Sequence, residues 1–232
     1  MQGVILCAGE GERLRPLTLK TPKPLLPIRG KPLLDWTVEW LRRFGVKDLF
    51  INLHHLPDAI PAHLGTGAAL GVRVTYSYDK ELLGTAGALH AFRERLCQPF
   101  LVVYGDVFAQ PLDLSALTAF HRAKRGLGTL VLQKTDRPHD SDVVELDEDG
   151  RVKALHHAPG TFDHGDLGSA AVYLLEPAIL RYLPESGKAD FVRDLFPAAL
   201  QAGERLYGYV TEKELPDIGT PERYEKTQRR TA

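Results

Sequence analysis

Gly9, Gly11, Arg13 and Lys23 sit close together near the start of the chain, directly after the apolar run Val4–Ala8. Glycine permits backbone angles and close approaches that a Cβ resists. Successive amides in such a turn can point inward as a concave anion site. Arg13 offers a planar fork that suits a pair of phosphate oxygens, and Lys23 offers a compact positive charge. A buried strand, a glycine turn and two fixed cations are what a polyphosphate requires. Asp106 follows a second apolar run, Phe100–Tyr104. It falls at the carboxyl end of a core strand, the edge at which open α/β sheets bind ligands. A hard carboxylate there suits Mg2+, which keeps several waters and takes phosphate oxygens. An Asp that only caps the following segment is the plainer alternative.

The spacing excludes two common phosphate loops. Gly9-Glu10-Gly11 lacks the third glycine of the dinucleotide fingerprint, and Gly-x4-Gly-Lys-Ser/Thr is absent. Alone, a Gly-x-Gly after a strand is also compatible with an ordinary βα turn. Pro16, Pro22, Pro24 and Pro27 argue against a long helix across this loop.

These residues must be positioned by strands and helices in alternation. Lys31 to Phe44 has helical spacing through Leu33, Leu34, Val38, Leu41 and Phe44, with Gly45 as its stop. Asp48–Leu53, Val72–Ser77 and Phe100–Tyr104 read as strands, and Pro57–Leu64 and Ala86–Leu96 as helices. Such alternation implies right-handed crossovers and a parallel, doubly wound sheet. From about Thr129 the pattern shifts to closely spaced strands at 129–133, 143–146, 152–156 and 170–175, and Asp147-Glu-Asp-Gly150 is a hairpin turn. Phe191–Ala202 is expected to be helical and Leu206–Val210 a strand. A last helix is expected from Pro221, capped by Thr220. The expected fold is a Rossmann-like α/β three-layer sandwich with a mixed, mainly parallel central sheet and a smaller antiparallel part. It is read as one domain over 1–232, with a first part over 1–132 and a second over 133–232.

Composition narrows the function. The chain has 232 residues, a formal net charge of −1, 25% charged and 44% hydrophobic residues. That is ordinary for a soluble globular protein, and no basic field points to nucleic acid. No apolar stretch is long enough to span a bilayer. Met1 leads straight into the first strand, so no signal peptide is expected and the expected compartment is the cytoplasm. The two cysteines, Cys7 and Cys97, read as buried thiols rather than a disulfide framework or a metal site. His54, His55, His139 and His164 match no zinc spacing.

The longer string Gly-x-Gly-x-Arg-Leu-x-Pro-Leu-Thr over 9–18, followed by Pro22-Lys-Pro-Leu25, resembles the signature of the sugar-1-phosphate nucleotidylyltransferases. Tyr104-Gly-Asp106 is similar to that family's metal motif, and Asp217-Ile-Gly-Thr-Pro221 to its Asp-x-Gly-Thr-Pro segment. The resemblance implies an enzyme that joins a nucleoside triphosphate to a sugar 1-phosphate and releases pyrophosphate. It implies catalytic roles for Arg13, Lys23, Asp106 and Asp217, with Asp106 and Asp217 holding Mg2+. It implies nucleotide contacts from Leu6, Ala8, Gly9, Glu10, Gly11, Glu12, Arg13 and Lys23. Read from the residues alone, Asp217 could simply organise the turn before the last helix. Leu83-Gly-Thr-Ala-Gly-Ala-Leu89 resembles the version in mannose- and heptose-1-phosphate guanylyltransferases. A base is then expected over Gly84, Thr85, Ala86 and Gly87, with Asp79 or Glu81 accepting from the N–H donors of guanine.

The sugar half departs from the family pattern. Ser141-Asp142 stands where Tyr-Gly is usual, His157-Ala-Pro159 replaces Glu-Lys-Pro, and Ser169 replaces an Asn. Asp142, His157, Ser169 and Asp217 are therefore the candidate sugar-binding residues, with His156, His157 or Arg193 as substitutes for the lost lysine. The expected substrates are GTP with a mannose- or heptose-like sugar 1-phosphate. Alternatives are uridylyl or thymidylyl transfer to another sugar 1-phosphate, such as N-acetylmuramate or glucose 1-phosphate, and a non-catalytic nucleotide-sugar sensor. The resemblance leaves a homodimer open, and no additional C-terminal domain is expected.

Overall fold

The computed structural model describes residues 1–157 and 165–230. The chain begins with β1 (Gln2–Leu6), a short ribbon of β2 (Pro27–Ile28) and β3 (Lys31–Pro32), then α1 (Leu33–Arg43), β4 (Asp48–Leu53), α2 (Ala59–Leu64) and β5 (Arg73–Tyr78). It continues through α3 (Gly84–Gly87), β6 (Phe100–Tyr104), α4 (Leu114–Lys124), β7 (Gly128–Lys134), β8 (Val143–Leu146), β9 (Val152–His156) and β10 (Leu167–Leu175). It ends with α5 (Phe196–Gln201), β11 (Leu206–Val210) and α6 (Pro221–Arg230).

Contacts divide the chain into two compact units. The first comprises Met1–Leu82, Val102–Pro111 and Leu215–Ala232; the second comprises Leu83–Leu101 and Leu112–Glu214. In the first, β1 pairs in parallel with β4, and β4 in parallel with β5. β1 and β4 are apolar because both faces are covered, with Val4, Ile5, Leu49 and Ile51 fully buried, whereas the outer strand β5 is more polar and only partly buried. Helix α1 buries Leu33, Leu34, Thr37, Val38, Trp40 and Leu41 along one stripe. It ends as its sequence suggests, with the Gly45 N–H donating to the Arg42 carbonyl and the Val46 N–H to the Leu41 carbonyl.

In the second unit, β7 is flanked by β11 in parallel and β10 antiparallel. β8 and β9 form the expected hairpin, and Asp147 Oδ1 accepts from the Asp149 and Arg151 amides across its turn. Tyr173, Phe191 and Phe196 form its aromatic centre, with ring centroids 5.1 to 5.4 Å apart. The α/β class, the parallel Rossmann-like part and the antiparallel addition thus follow the expectation.

Several elements differ from it. Lys31–Pro32 is strand rather than helix, because Pro32 supplies the extended residue that precedes α1. The expected helix over 86–96 is instead α3 followed by a 3-10 turn over Ala88–Phe92. Phe191–Leu195 is a π-helical turn leading into α5. Helix α4 is an element beyond those expected, and Asp113 starts it by accepting from the Ser115 and Ala116 amides at 2.8 and 3.3 Å. Among the described residues no helix is long and apolar enough to cross a membrane.

One expectation is corrected. Cys7 is buried, but Cys97 is exposed, because it follows the last turn of its helical segment rather than lying inside a strand. Burial, and secondarily the negative charge of Asp106, pushes the Cys7 thiol well above the usual thiol range. A folded-state value raised above the unfolded one stabilises the fold below the unfolded thiol's pKa, and that contribution erodes as pH climbs past it. Alkylation at pH 8 is therefore expected to modify Cys97 alone in the native protein and both thiols in denaturant, with the count read by intact-mass spectrometry. Rapid native labelling of Cys7 would contradict its burial.

Candidate functional site

The site in the first unit is assembled by neighbours that are apolar. Leu14, Leu26, Ile28, Leu33, Phe108 and Ile218 form one buried cluster, with Trp36 and Tyr224 packed against it. Burying each such side chain is worth about 1.5–3 kcal/mol. Arg13 adjoins Leu14, Asp106 lies two residues before Phe108, and Asp217 adjoins Ile218. The apolar residues are thus the anchors, and the charged ones are carried to the rim.

The two acidic residues are brought together by main-chain pairing. Val107 and Asp217 form an antiparallel bridge. The Ile218 N–H donates to the Asp106 carbonyl and the Phe108 N–H to the Pro216 carbonyl, both at 2.9 Å. Gly105 lets this segment approach β1: its N–H donates to the Leu6 carbonyl at 2.9 Å, and a Cβ there would lie 2.7 Å from that oxygen and 3.0 Å from Pro24 Cγ. Lys23 Nζ then reaches Asp106 Oδ2 at 2.7 Å.

The loop after β1 supplies the cradle. Gly11 has φ +65, and its carbonyl accepts from the Thr18 hydroxyl at 2.8 Å; a Cβ there would press on Thr18 Cγ2 at 2.8 Å. Gly9 has nothing within 4 Å of a Cβ position, so its surface is open to a ligand. Ala8 is buried beneath the loop. The Cys7 amide, at the base of the loop, donates to Asn52 Oδ1, and Asn52 Nδ2 donates to Asp79 Oδ2, each at 3.0 Å. Asp79 is thereby tied to the loop through one buried amide. Arg15 is neutralised by Glu10 and Glu12 at 3.4 and 3.5 Å. Arg13 has no hydrogen bond or ion pair among the described residues, and its charge faces a cleft of about 500 Å3 lined by Glu10, Gly11, Glu12, Lys23, Leu82 and Gly219 as well.

Asp217 has partners of its own. Its Oδ1 accepts from the Gly219 amide at 2.7 Å. Arg223 Nη1 lies 2.9 Å from both carboxylate oxygens. Arg223 is a site residue that motif reading does not single out. The signal for it is positional: a cation in the first turn of α6 opposes the helix dipole and needs another reason to be there.

The second unit holds the remaining candidates. At Gly84, φ is +77, and a Cβ would lie 2.5 Å from the Ala189 carbonyl oxygen. Thr85 donates from its amide and its hydroxyl to Asp190 Oδ1 at 3.0 and 2.9 Å, and the Ala86 amide donates to the Ala189 carbonyl at 2.9 Å. These small residues therefore have a packing role in docking 84–87 onto 189–191. Glu81 is exposed.

The altered sugar-half residues gather in the same unit. His157 Nδ1 lies 2.7 Å from Asp142 Oδ1, and Arg193 Nη2 donates to His157 Nε2. The approach of Nδ1 to Asp142 is a close contact rather than an aligned hydrogen bond, since Nδ1 makes none among the described residues. The Ser169 amide donates to the Asp142 carbonyl at 2.8 Å, and Ser169 Oγ lies 3.0 Å from the Tyr173 hydroxyl at a bulge in β10. His156 is instead bound to Glu145 at 2.7 Å. Ala158, Pro159 and His164 lie outside the described residues.

The fold matches solved structures from two bacteria. A structure from Bacillus anthracis, provisionally assigned as a glucose-1-phosphate thymidylyltransferase, superposes with a TM-score of 0.86 at 22% identity over 99% of this chain and 94% of that one. HddC from Yersinia pseudotuberculosis, also solved with GMP-PN, gives 0.79 at 24% identity over 100% and 99%. The chain belongs to the nucleotidyl transferase family, whose profile matches residues 2–232. Mannose-1-phosphate guanylyltransferase of Mycobacterium tuberculosis is 32% identical over 96% of this chain and 62% of its own length. Mannose-1-phosphate guanylyltransferase 1 of Arabidopsis thaliana is 32% identical over 97% and 63%. The UTP–glucose-1-phosphate uridylyltransferase of Synechocystis is 30% identical over 94% and 60%. The chain thus spans 60–63% of the length of these curated relatives.

Two substitutions test the geometry. A Cβ at Gly219 would sit 2.6 Å from Asp217 Oδ1 and 3.2 Å from Arg13 Nη2. Gly219→Ala is expected to displace that carboxylate and lower turnover about a hundredfold, with little change in melting temperature. Gly84→Ala is expected to act on stability instead, costing about 1–3 kcal/mol in chemical denaturation. A neutral result at either position would remove the steric argument made for it.

Proposed function

We propose that this chain transfers a nucleotidyl group from a nucleoside triphosphate to a sugar 1-phosphate. An oxygen of the sugar phosphate forms a bond to the α-phosphorus, the bond to the β-phosphate oxygen breaks, and pyrophosphate leaves. Charge builds on the equatorial oxygens and on the leaving group, so positioning and cations carry most of the catalysis. The observation that carries the reading is the bridge that sets Asp217 beside the Asp106 segment, with Lys23 reaching Asp106 and Arg13 free on the cleft.

Arg13 binds the β- and γ-phosphates, where a planar cation can hold two oxygens. Lys23 neutralises charge at the α-phosphate. Asp106 and Asp217 fit a hard divalent cation by their chemistry, since both present carboxylate oxygens on adjoining main-chain segments, and they would hold Mg2+. When bound, Mg2+ supplies a Lewis acid and a template for the two phosphates.

The nucleotide is GTP and the sugar mannose- or heptose-like in this reading. Its support is the Leu83–Leu89 motif and the guanylyltransferase names of two relatives. Uridylyl transfer to glucose 1-phosphate is the second reading, supported by the Synechocystis relative. Pyrophosphate release across a matrix of nucleoside triphosphates and sugar 1-phosphates tests both. The highest signal is expected with GTP, and silence in every well would refute the enzyme. Asp106→Asn is expected to lower turnover by about a hundredfold or more while circular dichroism and melting stay near wild type. Unchanged turnover would remove Asp106 from the mechanism.

A further inference from the structure

Each proposed metal-binding carboxylate already has a cation of this chain on it. Lys23 Nζ is 2.7 Å from Asp106, and Arg223 Nη1 is 2.9 Å from both oxygens of Asp217. The two contacts differ in character. Lys23 is a flexible point charge, and the reading above gives it a phosphate to move to. Arg223 has no such alternative. Its side chain is only 17% exposed, and its Nε is buried without a hydrogen-bond partner. Its own backbone is fixed by the Thr220 cap, whose Oγ1 accepts from the Arg223 amide at 3.3 Å. Tyr224, the next residue, packs on the apolar cluster and donates its hydroxyl proton to the Pro27 carbonyl at 2.8 Å. The guanidinium is therefore held in place by the helix start rather than by the carboxylate alone. Among the described residues no group of three or more His, Cys, Asp or Glu side chains forms a metal site.

We infer that Arg223 is a positioning residue that keeps Asp217 oriented and, as a fixed counter-charge, prevents a free divalent cation from binding tightly before the triphosphate arrives. The physical ground is simple. A cation approaching Asp106 and Asp217 meets two carboxylates whose charge is already balanced, and only a polyphosphate adds the negative charge that tips the site in its favour. Arg223 engages both oxygens of Asp217 and the Gly219 amide adds a second donor to Oδ1, which leaves Oδ2 as the oxygen with a lone pair open to a ligand. The inference rests on the reading of Asp106 and Asp217 as metal ligands.

Mn2+ binding, followed by electron paramagnetic resonance of the free ion, tests it without turnover. Wild-type protein is expected to bind Mn2+ weakly alone and at least about tenfold more tightly with a non-hydrolysable GTP analogue, after correction for Mn2+ held by the analogue in solution. Arg223→Gln removes the charge and keeps a donor. It is expected to bind Mn2+ alone about tenfold more tightly than wild type, as loss of one nearby positive charge predicts. Arg223→Lys is expected to stay near wild type. Unchanged or weaker Mn2+ binding by folded Arg223→Gln overturns the inference while leaving the reading of the ligands intact. Should that variant not fold, tight binding of Mn2+ alone by the wild type overturns it equally. Absence of protein-bound Mn2+ even with the analogue overturns both the inference and the metal-ligand reading.

Discussion

The buried contact among Leu14, Leu26, Ile28, Leu33, Phe108 and Ile218 is the constraint on which the site depends. Its members come from segments far apart in the chain, and each brings a polar neighbour with it. Charges attract one another only weakly when exposed and screened. Burial of hydrocarbon is what fixes the loops, and the charges inherit their positions. The Asp106 and Asp217 segments then add main-chain hydrogen bonds, so their spacing is set by backbone geometry rather than by flexible side chains.

Charge balance is the second theme. Lys23 with Asp106 and Arg223 with Asp217 are one-to-one pairs within the first unit, while Arg15 lies between two acids, Glu10 and Glu12. Arg13 stands apart, exposed on the cleft and unpaired among the described residues. With Asp106 and Asp217 each paired, the unpaired guanidinium of Arg13 is the group placed to meet an anion on the cleft. This arrangement also fits a chain whose formal net charge is only −1: attraction for phosphate comes from a local arrangement and not from a global field.

Much of this was legible in the sequence for identifiable reasons. The strand, glycine turn, Arg13 and Lys23 lie close together in the chain, so their geometry is mostly local. Period and turn chemistry exposed the β-hairpin around Asp147–Gly150 and the cap at Thr220. Long-range reasons were not legible. The small residues at 84–87 read as a place for a flat base; that the Cβ position of Gly84 faces the Ala189 carbonyl, more than a hundred residues away, is a second reason for glycine that they do not reveal. Arg223 looks like one more solvated helix charge until Asp217 is placed beside it. Helix α4 is amphipathic only weakly, burying Leu114, Leu117 and His121, so its apolar stripe is narrow. Cys97 lies next to an apolar strand in sequence but on the surface in space.

The first compact unit is stitched from three separate stretches, the last of them beginning at Leu215. A ribosome delivers the glycine cradle at Gly9 and Gly11 well before the Asp217 turn. Until that closing stretch has emerged from the exit tunnel, a nascent chain owns the phosphate-facing loop but lacks one of its two acidic groups. Ile218 and Tyr224 are also missing from the hydrocarbon cluster at that stage. Completion of the site during biosynthesis therefore waits for the stretch from Leu215 onward, however early the opening segment folds.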